Sequence, residues 1–414
     1  MFRITAILAL CVYMLCVAGA WYARTASNPA HAAAVADKTD QDLSDDDADD
    51  TDQLAVAAGP SSIDHHGHNP ADELPSSQPA APLNVEGPVF INGFALNLHH
   101  TDKIEPFFKA IDEIADMGFN SVEIVTPAFQ VHGGSTKIAL EVGPGHSPRR
   151  EDLVAVLNYA RKRGLRTVLM PIVLFSAPRG NEWRGKIQPE DWDPWWKSYR
   201  QVMDYFTDVA NETGVSVFSV GSELLSTEKQ NSRWSELIVH IRSRYTGKLS
   251  YSTNWDHYHV PVFWKSLDII GINGYWDLTT LAKKTPPEPE ALVERWTDIR
   301  KQVMDFGKSQ ERPVMLTEIG YPSLPWGLKD PWNYVNGSEA KSDPEVQAAG
   351  YKAFLDAWSD LVGAHRDPNQ LTGVFFYKWD PYGSGAADDT GYGVKGKPTY
   401  DLLKKWEEQW GRKQ

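Results

Sequence analysis

The sequence predicts an α/β fold, a (β/α)8 TIM barrel over residues 87–414, and three observations favour it. Short apolar runs rich in Val, Ile and Phe alternate eight times with segments of helical periodicity. These runs are nearly continuous, as in parallel strands that are covered on both faces. The first run is not followed by the glycine-rich phosphate turn that a doubly wound open sheet usually carries. The barrel is therefore preferred to the open sheet.

Each predicted strand is a short run of β-branched and aromatic residues that ends at a polar residue or a glycine. The fourth run reads VSVFSVG and the seventh reads PVMLTEI. In chain order, the predicted strands are 89–96, 120–125, 166–175, 215–221, 249–254, 268–275, 313–319 and 373–379.

Apolar periodicity and its stop signals predict the helices between the strands. In the first helix, Ile104 begins a series of apolar residues at i+3, i+4, i+7 and i+10, and Gly118 ends it. The second helix stops at Gly164, and Ser232 is the expected N-cap of the fourth. The predicted helices lie near 104–114, 153–160, 195–211, 232–241, 260–266, 289–307, 343–362 and 399–410.

Two segments precede the predicted barrel. In residues 1–22, Arg3 and an apolar run end in an Ala-Gly-Ala sequence, which is typical of a secretory signal peptide. The same stretch is nearly long enough to span a bilayer, so an uncleaved membrane anchor stays open. Both alternatives predict export, to the periplasm or the medium, and the second predicts membrane tethering. Residues 23–86 are rich in Ala, Asp and Pro, and predict a disordered linker.

Charge and cysteine content exclude several classes of function. The chain has 41 Lys and Arg against 55 Asp and Glu, so it lacks the basic balance that nucleic-acid binding requires. Its two cysteines, Cys11 and Cys16, precede the predicted barrel. A disulfide framework, a Cys-liganded metal and a Cys nucleophile are therefore excluded from the barrel. We expect no cofactor, no metal ion and a monomer.

Two carboxylates lie where catalytic groups of a barrel are expected, at the C-terminal ends of strands. Glu223 follows the fourth predicted strand, and Glu318 lies at the end of the seventh. A single Glu of this kind often serves a salt bridge, but two that face one cavity indicate acid/base or nucleophilic chemistry.

Aromatic residues near the strand ends indicate the class of ligand. Flat rings with polar edges suit sugars, which present C–H groups on their faces. Two carboxylates beside such rings predict glycoside hydrolysis. In a retaining mechanism, one carboxylate is the nucleophile and the other the acid/base. Tyr275 is placed to donate a hydrogen bond to the nucleophile. The candidate aromatic contacts are Trp183, Trp255, Tyr275, Trp276, Tyr321 and Trp379.

Six segments resemble glycoside hydrolase clan A, and within it family 113, the β-1,4-mannanases. They are WRG at 183–185, FSVGSEL at 218–224, TNW at 253–255, DIIGIN at 268–273, LTEIGY at 316–321 and GYGVKGKP at 391–398. The resemblance implies that Glu223 is the acid/base and Glu318 the nucleophile. It also implies contacts to the sugar or the carboxylates from Arg184, Asn254, Trp255, Tyr275 and Trp379. Ser222 stands where many clan members have an Asn that binds the sugar 2-hydroxyl.

The sequence thus predicts a retaining hydrolase that cleaves β-1,4-mannan or manno-oligosaccharides by double displacement. A polysaccharide or oligosaccharide is the expected partner. Two alternatives stay open: the same mechanism on a β-glucan or xylan, and a non-catalytic glycan-binding barrel.

Overall fold

The computed structural model describes residues 89–410 apart from residues 144, 280–287, 334–339, 365–366, 384 and 387. The predictions made for residues 1–22 and 23–86 lie outside the described residues.

Eight parallel strands close into a barrel, because β1 pairs with both β2 and β8. A short strand, Ile138–Ala139, pairs antiparallel with the end of β2. The predicted (β/α)8 barrel is thus confirmed. The barrel strands are β1 (Ile91–Asn97), β2 (Ser121–Gln130), β3 (Arg166–Phe175), β4 (Val217–Ser222), β5 (Lys248–Asn254), β6 (Ile269–Asn273), β7 (Val314–Ile319) and β8 (Leu371–Phe376).

Helices connect the strands on the outside of the barrel. They are α1 (Glu105–Asp116), α2 (Arg150–Lys162), α3 (Trp192–Thr213), α4 (Asn231–Arg242), α5 (Pro289–Gln310), α6 (Pro344–Ala357) and α7 (Pro398–Trp410). None of these described helices has the length and apolar character needed to cross a bilayer.

The predicted elements differ from the observed ones mainly at their ends. Between β5 and β6, the predicted helix is only a 3-10 turn, Trp264–Ser266. Strand β2 continues to Gln130, beyond its predicted end, because its pairing with β3 stays in register that far. Strand β8 ends at Phe376, before its predicted end at Trp379, so strand alternation does not set the direction of the Trp379 side chain.

The barrel interior changes from apolar to polar toward the C-terminal ends of its strands. Its floor is one apolar cluster of Ile91, Val168, Val217, Ile269, Met315 and Phe375. Above the floor, buried polar side chains project inward from three neighbouring strands: Ser252, Asn273 and Thr317. A larger apolar core lies between the strands and the helices. The interior floor therefore supports a buried polar layer at the barrel mouth.

Candidate active site

Glu223 lies directly after β4 in a backbone conformation that is unusual for a residue with a side chain. Its φ is 54°, in the left-handed region that costs a non-glycine residue about 1–2 kcal/mol. The pairing of β4 with β5 shifts register between Ser219 and Ser222, so the chain leaves the sheet at this point. Such conformations persist where the surrounding structure fixes them, and they are common at functional sites.

Two donors reach the Glu223 carboxylate from different sides. Arg184 Nη2 donates to Oε2 at 2.5 Å, and Asn273 Nδ2 donates to Oε1 at 2.8 Å. Arg184 begins a 3-10 turn in the loop after β3. The ring of Trp183 lies against Gly185 of this turn, where a Cβ atom would approach the ring to 2.5 Å. Glycine at position 185 thus leaves room for the Trp183 ring to pack against the turn that carries Arg184.

The orientation of the Asn273 amide is fixed by two hydroxyl groups. Ser252 Oγ donates to Asn273 Oδ1 at 2.7 Å, and Thr317 Oγ1 donates to the same atom at 2.8 Å. Because the amide oxygen accepts both hydrogen bonds, the amide nitrogen must face Glu223. The sequence analysis did not assign a role to Asn273, Ser252 or Thr317. The sequence feature that could have indicated them is a polar residue inside a predicted strand.

Glu318 lies on the strand next to that of Asn273. It lies in β7, in register with Asn273 of β6, and adjacent strands are about 4.8 Å apart. Tyr275, two residues beyond Asn273, donates a hydrogen bond to Glu318 Oε2. Asn273 thus donates directly to Glu223, and its register partner on the next strand is Glu318.

Burial and charge make Glu318 a weak acid in the unliganded protein. Its removal from water, and then the charge of Glu223, raise its pKa to about 8, while the Tyr275 hydrogen bond and the Arg184 charge oppose this rise. At neutral pH Glu318 therefore keeps a proton in the unliganded protein. Pairs of this kind serve as acid and nucleophile when a ligand redistributes the proton.

The other predicted contact residues differ in whether they lie beside this pair. Tyr275 lies on Glu318, and Trp183 lies beside Arg184. Asn254 and Trp255 are half-buried where β5 ends. Ser222 is buried directly before Glu223, and its Oγ has no hydrogen-bond partner among the described residues.

Three other predicted sugar contacts pack among buried side chains in this structure. The Trp276 ring packs against Trp296 at 5.7 Å, and Tyr321 Oη accepts a hydrogen bond from Trp296 Nε1. Trp379 packs on Phe94 at 4.9 Å and donates from Nε1 to a carboxylate of α1. Because β8 ends before residue 379, strand alternation does not turn that ring inward. All three side chains are buried, and their contact with a sugar stays a prediction.

Tyr377 occupies the inward position that was expected for Trp379. It packs on an apolar cluster inside the barrel, with its ring 6.1 Å from that of Tyr275. Its hydroxyl accepts a hydrogen bond from Asn97 Nδ2 of β1 at 3.0 Å. The sequence analysis missed both residues. Tyr377 could have been recognised because it lies two residues after Phe375, which is part of the barrel floor. Residues two apart along a strand point to the same face.

A third carboxyl group, Glu123 of β2, is buried inside the barrel. Neither of its oxygens has a hydrogen-bond partner among the described residues. Burial raises its pKa well above 4.5, and the Glu318 charge adds to the rise. Above pH 4.5, the Glu123 carboxyl group loses its proton in the unfolded chain but keeps it in the folded chain. The free energy of unfolding therefore falls as pH rises from 4.5 toward the raised pKa of the folded protein.

Replacement of Glu123 by Gln removes this titration. We expect E123Q to increase the free energy of unfolding at pH 7 by about 1–3 kcal/mol, and to increase it less at pH 4.5. Urea unfolding at the two pH values measures this difference. The matched control is E294Q, at an exposed position of α5, which leaves stability unchanged. An equal effect of E123Q at both pH values contradicts the buried proton.

Within the described part of the chain, no group of three or more His, Cys, Asp or Glu side chains is arranged to hold a metal ion. The donors around the Glu pair are an arginine, an amide and a phenol. They suit the recognition of hydroxyl groups.

Comparisons with known proteins identify the family and the fold. A profile of Glycoside Hydrolase Family 113 matches residues 104–397. The solved GH113 β-mannanase AaManA from Alicyclobacillus acidocaldarius, in complex with ManMIm, is 24% identical with a TM-score of 0.65, and the match covers 77% of this chain and 96% of that one. A complex of a GH113 β-1,4-mannanase is 23% identical with a TM-score of 0.64, covering 77% and 99%.

A more distant structure shares the fold. A Glycoside Hydrolase Family 5 mannosidase from Rhizomucor miehei, in complex with mannosyl-fructose, is 13% identical with a TM-score of 0.52, and the match covers 78% of this chain and 93% of that one. The chain matches no curated protein. At these identities the solved structures support the barrel fold, and the family profile supports the family.

Proposed function

Since the chain belongs to glycoside hydrolase family 113, we propose that this glycoside hydrolase cleaves β-1,4-mannan or manno-oligosaccharides with retention of configuration. The observation that supports the mechanism is that Asn273, which donates to Glu223, is paired in register with Glu318. A retaining enzyme needs two carboxyl groups close enough to act on one anomeric carbon.

In the first step, Glu318 attacks the anomeric carbon while Glu223 protonates the glycosidic oxygen. The bond between these two atoms breaks, the leaving sugar departs with the proton, and a glycosyl ester forms on Glu318. In the second step, Glu223 accepts a proton from water as the water oxygen attacks the anomeric carbon. The ester bond breaks, Glu318 is released as a carboxylate, and the product keeps its original configuration.

The electrostatic interaction between the two carboxyl groups gives a physical reason for these roles. The Glu223 charge contributes to the raised pKa of Glu318, after burial. When the proton moves to Glu223, that contribution is lost, and the Tyr275 hydrogen bond stabilises the Glu318 carboxylate. A bound glycosidic oxygen beside Glu223 favours this distribution, because it can accept a hydrogen bond from the protonated acid. Arg184 must then yield the position on Oε2 that it holds in the unliganded protein.

Mannan is favoured over other β-glycans by the family and by the solved proteins described as GH113 β-mannanases. Glucan and xylan remain the alternatives with the same mechanism. A non-catalytic glycan-binding barrel is disfavoured, because both carboxylates are present and hydrogen-bonded within one cluster. Export, which residues 1–22 predict, would give the enzyme access to polymeric substrates.

The substrate proposal is tested by reducing-sugar release from a panel of polysaccharides. We expect kcat/KM on β-1,4-mannan to exceed that on β-glucan and xylan by at least about 100-fold, since sites that hydrogen-bond a hydroxyl discriminate strongly. NMR of the first product formed should show the β anomer. Activity on glucan or xylan without activity on mannan overturns the substrate, and an initial α anomer overturns retention.

A further inference from the structure

The left-handed backbone of Glu223 is held by two consecutive hydrogen bonds to β5. The Glu223 N–H donates to the Ser252 carbonyl at 2.8 Å. The next N–H, of Leu224, donates to the side-chain oxygen of Tyr251 at 2.9 Å. Two adjacent residues of β5 thus fix the two peptide groups on either side of the Glu223 Cα, and with them the direction of its side chain.

The Tyr251 hydroxyl is itself oriented by a buried carboxylate. It donates to Glu228 Oε1 at 2.9 Å, and Thr253 Oγ1 donates to the same oxygen at 3.0 Å. His257 Nδ1 lies 3.0 Å from Glu228 Oε2. Because a phenol has one proton and gives it to Glu228, its lone pairs are left to accept the Leu224 N–H. The hydrogen bonds therefore run in one direction, from Leu224 through Tyr251 to Glu228.

The ring of Tyr251 cannot adjust to another position. It is fully buried, with the rings of Trp234 and Phe263 at 5.1 and 5.3 Å. A Cβ atom at Gly221, two residues before Glu223, would approach it to 3.1 Å. The Leu224 carbonyl is also fixed, because Thr227 Oγ1 donates to it at 2.7 Å. Groups that are locked in this way can hold a catalytic side chain in a working geometry.

From these contacts we propose that Tyr251, oriented by Glu228, is a positioning residue that aims the Glu223 carboxyl group at the glycosidic oxygen. This inference rests on the proposed acid/base role of Glu223. Tyr251 is too deeply buried to touch a substrate, so it acts only through the backbone of Leu224 and Glu223. Its loss should impair proton donation more than it impairs binding or nucleophilic attack.

The test compares two leaving groups in the full-length protein. Departure of 2,4-dinitrophenol from an aryl β-mannoside needs no proton donor, whereas departure of a sugar does. We expect Y251F to lower kcat on manno-oligosaccharides by about 10-fold with KM within about 2-fold. The second-order rate on the dinitrophenyl mannoside should change by less than about 2-fold. Equal losses on both substrates, or no loss on either, overturn the proposal.

A matched control lies just before the starts of strands β4 and β5. Tyr245 is a buried tyrosine whose hydroxyl donates to the Val215 carbonyl at 2.6 Å, before the start of β4 and far from Glu223 along that strand. We expect Y245F to leave both rates unchanged at a temperature where the variant is folded. A selective loss in Y245F like that in Y251F shows a general effect of buried hydroxyls and overturns the proposal.

Glu228 gives a second route that keeps Tyr251 and covers the case in which Y251F does not fold. E228L removes the acceptor of the Tyr251 proton and should show the same selective loss, while E228Q keeps an acceptor oxygen and should lose less. Identical behaviour of E228L and E228Q contradicts the orienting role. If E223Q is impaired and Y251F is not, only this inference fails. If E223Q retains full activity on manno-oligosaccharides, the proposed function itself fails.

Discussion

Replacement of Glu318 by Ala or Gln is expected to lower kcat on manno-oligosaccharides by at least about 10⁴-fold. The proposed nucleophile forms the covalent bond of the first step, and no other described carboxylate lies in register beside Asn273. Glu223 follows a different strand, β4, and is held there by Arg184 and Asn273, so it cannot take the place of the nucleophile. Steady-state kinetics on mannohexaose measures this loss.

Binding separates this chemical loss from unfolding. E318Q keeps the shape of the side chain, so calorimetric titration with mannohexaose should show an affinity within about 10-fold of that of the native protein. E294Q, at an exposed position, is the control for the substitution itself. Activity of E318Q within 10-fold of the native enzyme would remove Glu318 from the mechanism.

The position of the carboxylate pair was predictable from sequence because it depends on topology. Once eight strands alternate with helices, the ends of the fourth and seventh strands must open on the same side of the barrel. Glu223 and Glu318 follow apolar runs that are easy to recognise, so their place needed no knowledge of side-chain packing. The hydrogen bond from Tyr275 to Glu318 was expected for the same reason.

Side-chain direction beyond a strand end was not predictable in this way. Trp379 was taken to lie at the mouth because strand 8 was extended to it, whereas the strand ends at Phe376 and Tyr377 points inward. The amide of Asn273 depends on hydroxyls from β5 and β7, which are distant in the chain. Sequence periodicity indicates which face a residue lies on, but it does not indicate which partner across the barrel that residue meets.

Glu223 replacement is expected to have the second large effect, and the effect should depend on the substrate. E223Q should lower kcat/KM on manno-oligosaccharides by about 10²–10⁴-fold, which is the usual contribution of general acid catalysis. On 2,4-dinitrophenyl β-mannoside, formation of the glycosyl ester needs no acid and should slow far less. The second step still needs a base, so the ester should accumulate, and added azide should react with it and restore turnover. Stopped-flow release of dinitrophenol measures the burst.

The pH dependence of E223Q tests how the two carboxyl groups are coupled. In the native enzyme one proton must remain on the pair, so kcat/KM on manno-oligosaccharides should fall at both low and high pH. In E223Q with the dinitrophenyl substrate only Glu318 must ionise, so the fall at high pH should disappear. On the same dinitrophenyl substrate, the native enzyme must ionise Glu318 beside the Glu223 charge, which contributes to the raised pKa of Glu318. The acidic limb of E223Q should therefore lie at lower pH than that of the native enzyme on this substrate. A limb that does not move, or that moves to higher pH, contradicts the electrostatic coupling on which the proposed division of roles depends.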